Sequence, residues 1–210
     1  MAMISLDHVR AALALPNFDV EAARMRMTPQ SRTYPRPTAP ADNSCPAAVL
    51  ALLFPLSGEL ALVLMRRTDR VDDAHRGQVS FPGGRREGDE PLVQTALRET
   101  EEELGVEAGV VRIMGRLANL HTPSAFTIHP FVGYVPAHPL WRPCEMEVAR
   151  VIELPLAQLI DDRAKQVEEW ELAGHAFTVP FYRVDGEAVW GATAMMLSEL
   201  EWRLRTVLGR

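Results

Sequence analysis

His75-Arg-Gly-Gln-Val-Ser-Phe-Pro-Gly-Gly84 leads, through Arg85 to Pro91, into Leu92-Val-Gln-Thr-Ala-Leu-Arg98-Glu99-Thr100-Glu101-Glu102-Glu103-Leu104-Gly105-Val106. The second run is rich in helix formers and stops at a glycine, as helices commonly do. On a helix Glu99, Glu102 and Glu103 stand at i, i+3 and i+4, so their carboxylates project from one face toward a common cation. Hard divalent ions prefer such oxygen ligands. Val93, Leu97, Thr100 and Leu104 recur at i, i+4, i+7 and i+11, a stripe suited to packing on a sheet. Asp89 is expected to cap the helix, with Pro91 in its first turn. Gly83 and Gly84 let the preceding loop turn sharply and come close to a ligand, so a carbonyl there can join the carboxylates.

Gly84, five residues, Glu90, seven residues, Arg98-Glu99, one residue, Glu101, Glu102-Glu103, one residue and Gly105-Val106 together resemble the Nudix box, the signature of hydrolases that cleave a diphosphate linked to another moiety. Every charged and glycine position of that box is filled. Thr100 departs from the family's usual aliphatic residue, and its methyl group can serve on the packing stripe. The resemblance implies an α/β/α sandwich with a mixed sheet. It also implies Mg²⁺ or Mn²⁺ held by Glu99, Glu102, Glu103 and the carbonyl of Gly84 or Gly83. Arg98 would hold Glu102 from one turn away and pair with Glu90, both supporting the carboxylates from behind. The ions would neutralise the diphosphate and activate a water for attack on phosphorus. The water's proton would go to Glu102 or Glu103, or to a loop residue outside the box.

Likeness extends beyond the box. Arg67, His75, Gly77 to Gly84, Ser124 to Phe126, Pro130-Phe131-Val132-Gly133 and Trp190-Gly-Ala-Thr193 are similar to the coenzyme A pyrophosphatase branch of the family. This implies coenzyme A as substrate, cut to 3′,5′-ADP and 4′-phosphopantetheine, with Arg67, Arg70, Arg76 and Gly83 on the substrate. The loop to Gly77 is one residue longer than in that branch, and Asp73 stands where an arginine is expected. Other enzymatic readings are ADP-ribose, dinucleoside polyphosphates or nucleoside triphosphates. A nucleotide-sensing module without catalysis is the reading from another class, and such a module typically lacks a box glutamate.

The remaining chain fits one catalytic domain over residues 46–210, preceded by a helical segment and a Pro-rich extended arm over 1–45. Ser5 to Leu15 and Val20 to Met27 read as short helices, and Pro29, Pro35, Pro37 and Pro40 interrupt regular structure. Strands are expected at Ala47–Phe54 and Leu60–Arg66 around a Ser57-Gly58 turn. Further strands are expected at Gln78–Phe81, Val110–Asn119, Phe126–Val135, Val148–Leu154, Lys165–Leu172 and Phe177–Val184. Pro155 to Asp161 reads as a short helix, and Thr193 to Leu208 as a longer one with Met196, Leu197, Leu200, Leu204 and Leu208 on its apolar face.

Composition excludes some functions. With 210 residues, 47% hydrophobic and 24% charged, the chain suits a globular core. A net charge of −6 argues against a general nucleic-acid partner. No run approaches the roughly 20 apolar residues of a membrane span. Cys45 and Cys144 make neither a metal motif nor a disulfide framework, which suits a reducing cytoplasm. The expected partner is a small nucleotide diphosphate, with allowance for a homodimer. His75, His121 and His129 are too scattered for a metal site, and the four tryptophans are expected to pack.

Overall fold

The computed structural model describes residues 3–31, 44–71, 75–172 and 174–210. The prolines at 35, 37 and 40 and Asp73 lie outside the described residues. In chain order the elements are α1 (Leu6–Leu13), α2 (Val20–Met25), β1 (Cys45–Leu56), β2 (Glu59–Arg67), β3 (Val79–Ser80), β4 (Gly83–Arg85) and α3 (Leu92–Leu104). There follow β5 (Arg112–Arg116), β6 (Leu120–His121), β7 (Phe126–Tyr134), β8 (Val148–Pro155), α4 (Leu156–Leu159), β9 (Lys165–Leu172), β10 (His175–Val184), β11 (Glu187–Val189) and α5 (Gly191–Leu208).

Eight strands form one mixed sheet. β1 runs parallel to β7 from Cys45↔Phe126 to Leu53↔Tyr134, while its other neighbours are antiparallel. The β1–β2 hairpin turns at Ser57-Gly58, both at positive φ, and pairs only Leu53–Leu56 with Glu59–Leu62. Beyond that point the strands separate. Residues 79–85 fill the gap, β3 pairing with β2 and β4 with β1. Gly83-Gly84 therefore lies inside the sheet as part of a short strand, where the sequence suggested a loop.

Alternation along the strands divides the core in two. Ala48, Leu50, Leu52 and Phe54 of β1, with Ala61, Val63 and Met65 of β2, pack under Ala96, Leu97 and Leu104 of α3. Ala51, Leu53, Leu62, Leu64 and Val132 face the opposite way, against Met196, Leu197, Leu200 and Leu204 of α5. This is the expected mixed α/β sandwich. A second, three-stranded antiparallel sheet, β11-β10-β9, is added beside it.

α5 is buried more completely than its apolar stripe suggests. Ser198, Glu199 and Glu201 are fully buried, because α1 and α2 cover the side of the helix away from the sheet. Arg24 of α2 donates from Nε and Nη2 to Glu199 Oε2 at 3.0 and 2.6 Å, and Arg203 reaches Glu199 Oε1 at 3.0 Å. Glu201 accepts from Tyr182, Lys165 and Arg205. Buried charges persist only when paired in this way. Ile4, Val9, Ala12 and Met27 join the same core as α5, so the described part of residues 1–45 packs on the sandwich. Among the described residues no helix is long and apolar enough to cross a membrane.

Candidate active site

α3 begins after Pro91 without a side-chain cap, so Asp89 does not cap it. Glu90 organises this end instead. Its Oε1 accepts from Glu87 N at 3.0 Å, Thr95 Oγ1 at 2.9 Å and Arg98 Nη2 at 2.9 Å. It ties the turn before the helix to the Thr95 and Arg98 side chains, without capping the helix backbone. The Arg98 guanidinium, with the Glu87 N–H, holds the Glu90 carboxyl down at about 2. Gly105 ends the helix in the left-handed conformation, as the sequence predicted.

Three box glutamates leave α3 in different environments. Glu102 is the most exposed and meets Arg98 Nη1 at 2.9 Å. The same nitrogen lies 3.1 Å from Glu99 Oε1. Glu99 lies against Gly84: a Cβ built there would stand 2.4 Å from the Glu99 carboxyl, so only glycine allows this approach. Glu103 is 2% exposed. Its Oε2 accepts from Gly83 N at 2.8 Å, and Oε1 lies 3.7 Å from Arg67 Nη1. Gly83 is equally constrained, since a Cβ would stand 2.3 Å from the Ala48 carbonyl oxygen.

Burial pushes the Glu103 carboxyl up to about 8, against the pull of the Gly83 N–H, and the nearby charges of Glu99 and Glu147 act in the same upward direction. Burial also raises Glu99, with Arg98 opposing it. Glu147, just before β8, is a carboxylate that sequence reasoning did not name. The only signal for it was an acidic run, Glu145-Met-Glu147, with no diagnostic spacing. Cys144 N donates to Glu103 O and Arg142 N to Leu104 O, both at 2.9 Å, which straps this segment over the end of α3.

Among the described residues no three His, Cys, Asp or Glu side chains gather as a metal cage. The expected convergence of Glu99, Glu102 and Glu103 on one point is not what these side chains adopt: Arg98 draws Glu99 and Glu102, while Gly83 and Arg67 hold Glu103. The donor chemistry nevertheless fits a hard divalent cation. Glu99, Glu103 and Glu147 are oxygen donors that act on one another as like charges, and a cation among them would relieve that repulsion.

Of the other sequence candidates, Arg67 points at the carboxylates, whereas Arg70 and Arg76 are exposed on the loop after β2. The tryptophans pack. Trp141 donates to Glu153 at 2.6 Å, Trp170 stacks on Phe181, Trp190 meets Trp170 edge-on, and Trp202 lies under Arg26. Both cysteines are free. Phe131, Val132 and Gly133 serve the core, where a Cβ on Gly133 would stand 2.9 Å from Val111.

Comparison with known proteins agrees with this geometry. The NUDIX domain pattern matches residues 46–173. An uncharacterized Nudix hydrolase NudL of Yersinia enterocolitica is 35% identical over 167 residues, covering 79% of this chain and 85% of the relative. The NudL of Yersinia pestis is 36% identical over 155 residues, covering 71% and 76%. Among solved structures, the Nudix hydrolase RenU from M. smegmatis superposes with a TM-score of 0.52 at 18% identity, covering 79% of this chain and 86% of that one. A MutT protein from Methanosarcina mazei gives 0.52 at 14% identity, covering 81% and 99%. Fold, box and relatives agree, and the chain belongs to the Nudix hydrolase family.

Proposed function

We propose that this Nudix hydrolase cleaves the diphosphate of coenzyme A or its derivatives to 3′,5′-ADP and 4′-phosphopantetheine. The observation that carries the reading is the pair Glu99 and Glu103 set against Gly84 and Gly83 with Arg67 beside them. It sets carboxylates able to hold a cation beside a guanidinium able to neutralise a phosphate. Arg67 and the later Pro130–Gly133 and Trp190–Thr193 runs support the coenzyme A branch.

Glu99, Glu102, Glu103 and the Gly84 carbonyl would hold Mg²⁺ or Mn²⁺, with Glu147 as an added oxygen donor. When bound, such an ion supplies positive charge to the diphosphate and acidifies the attacking water. Arg98 orients Glu99 and Glu102, and Glu90 in turn fixes Arg98. Arg67 offers its guanidinium to a phosphate oxygen. A box glutamate, Glu102 or Glu103, accepts the water's proton in this reading, with a loop residue outside the box as the alternative. Arg70, Arg76 and the Gly83 backbone are the remaining substrate contacts in this reading. Residues 46–210 would be the catalytic domain, 1–45 an accessory segment, and the cytoplasm the site of action.

A hydrolysis screen across coenzyme A, ADP-ribose, NADH, diadenosine polyphosphates and nucleoside triphosphates, with products identified by mass, tests this. Coenzyme A should give the highest kcat/KM, with 3′,5′-ADP as product. Much faster turnover of ADP-ribose would overturn the substrate and leave the family chemistry intact.

A further inference from the structure

The sheet carries a second polar surface on the face that bears α3. Gly84 stands opposite Ala48, and Ala48 stands opposite His129 of β7. Ala48 and Phe131 line the core beneath α3, so alternation puts Thr127, His129 and Phe131 on that face. His121 is registered with Thr127 and Arg116 with Phe131, which brings both to the same side. Arg86, two residues on from Gly84, follows with its N–H bonded to the Pro46 carbonyl at 3.1 Å.

Four basic side chains thus share one face, and neither Arg86 nor Arg116 pairs with a carboxylate among the described residues. Their neighbours are hydroxyls. His121 Nδ1 lies 2.9 Å from Thr127 Oγ1, which is 2.6 Å from Ser44 Oγ. Burial, and then the charges of Arg116, His121 and Arg86, hold His129 below its ordinary value. Uncompensated like charges are unfavourable, and in a chain of net charge −6 their gathering here calls for an anion. Two strand spacings separate Gly84 from His129, about 10 Å, which a ribose and one phosphoanhydride unit can span.

We propose that Arg86, Arg116, His121 and His129 form a subsite for a phosphomonoester carried by the same substrate whose diphosphate lies at Glu99, Glu103 and Gly84. The inference rests on the diphosphate reading above and assigns what holds the second phosphate. Arginine forks give that phosphate paired N–H donors, and His129 adds a neutral one. Arg67 is then left to the diphosphate, and the 3′-phosphate of coenzyme A is the group that fits.

Calorimetry in Mg²⁺ buffer with adenosine 3′,5′-bisphosphate and with 5′-AMP compares two ligands that differ by the 3′-phosphate alone, and neither contains a diphosphate to cleave. The bisphosphate should bind about tenfold tighter to the parent, and this preference should fall toward parity in Arg116→Ala and in His129→Gln while 5′-AMP affinity stays the same. Raising salt should shrink the preference as well. Equal affinity of the parent for the two ligands overturns the subsite, and so does a preference that survives in both variants. A preference that is present and lost in the variants upholds the subsite even if coenzyme A fails in the hydrolysis screen, a result that would overturn the substrate alone.

Discussion

Replacing Glu103 with Gln probes the environment of the buried carboxyl directly. Glu103 is 2% exposed, and burial takes its carboxyl from the ordinary 4.5 to about 8. The folded chain therefore holds this proton more tightly than the unfolded chain. Between pH 4.5 and about 8 it binds more protons, so the stabilising contribution is complete below 4.5 and is lost as pH rises through the folded value. At about 1.4 kcal/mol per pH unit the whole window corresponds to roughly 4–5 kcal/mol, and about 3 kcal/mol of that is gone by pH 7. Gln has no proton to lose and can still accept the Gly83 N–H. Urea unfolding of parent and variant in EDTA, from about pH 5.5 to about 8.5, should give a falling curve for the parent and a flatter one for the variant, separating by about 1 kcal/mol per pH unit. With divalent ion added, kcat of the variant should be lower by about 10² or more. Parallel stability curves would refute the reasoning, since they would mean that Glu103 ionises in the folded protein like an ordinary carboxylate.

Glu102→Gln should lower kcat by about 10² while changing stability by less than about 1 kcal/mol, because the side chain is largely exposed; turnover within a few-fold of the parent would remove Glu102 from the cation-holding group. Gly84→Ala puts a Cβ 2.4 Å from the Glu99 carboxyl, so Glu99 must swing away and kcat/KM should fall about tenfold or more with the melting curve little changed. Unaltered kinetics would show that this contact does not position Glu99. Removing residues 1–30 strips α1 and α2 from α5 and deprives buried Glu199 of Arg24, which should cost at least about 3 kcal/mol, while the hydrolysis left at low temperature still requires a divalent ion. A truncated chain that melts with the parent would contradict the packing role of these helices.

What the sequence determined by itself was local. The 3.6-residue period of Leu97, Thr100 and Leu104, the stop at Gly105 and the Ser57-Gly58 hairpin depend on neighbours a few residues away, and each can be read directly from the order of residues. Arg98 with Glu90 and Glu102 was legible for the same reason, helped by the box spacing. The tertiary structure decided the rest. The unequal burial of Glu99, Glu102 and Glu103 follows from which strand lies over each turn of α3. The helical period puts Glu103 beside the core stripe, yet only the strand β4, drawn into the gap between β1 and β2, closes over it with the Gly83 N–H. Glu147 reaches the same carboxylates through a strap anchored on the last turn of α3, more than forty residues upstream of it. Fully buried Glu199 of α5 needed Arg24 of α2, which lies 175 residues away in the chain. Periodicity reports which face of an element is apolar; it carries no information about what distant segment covers the other face, and burial by such segments raises the carboxyls of Glu99 and Glu103.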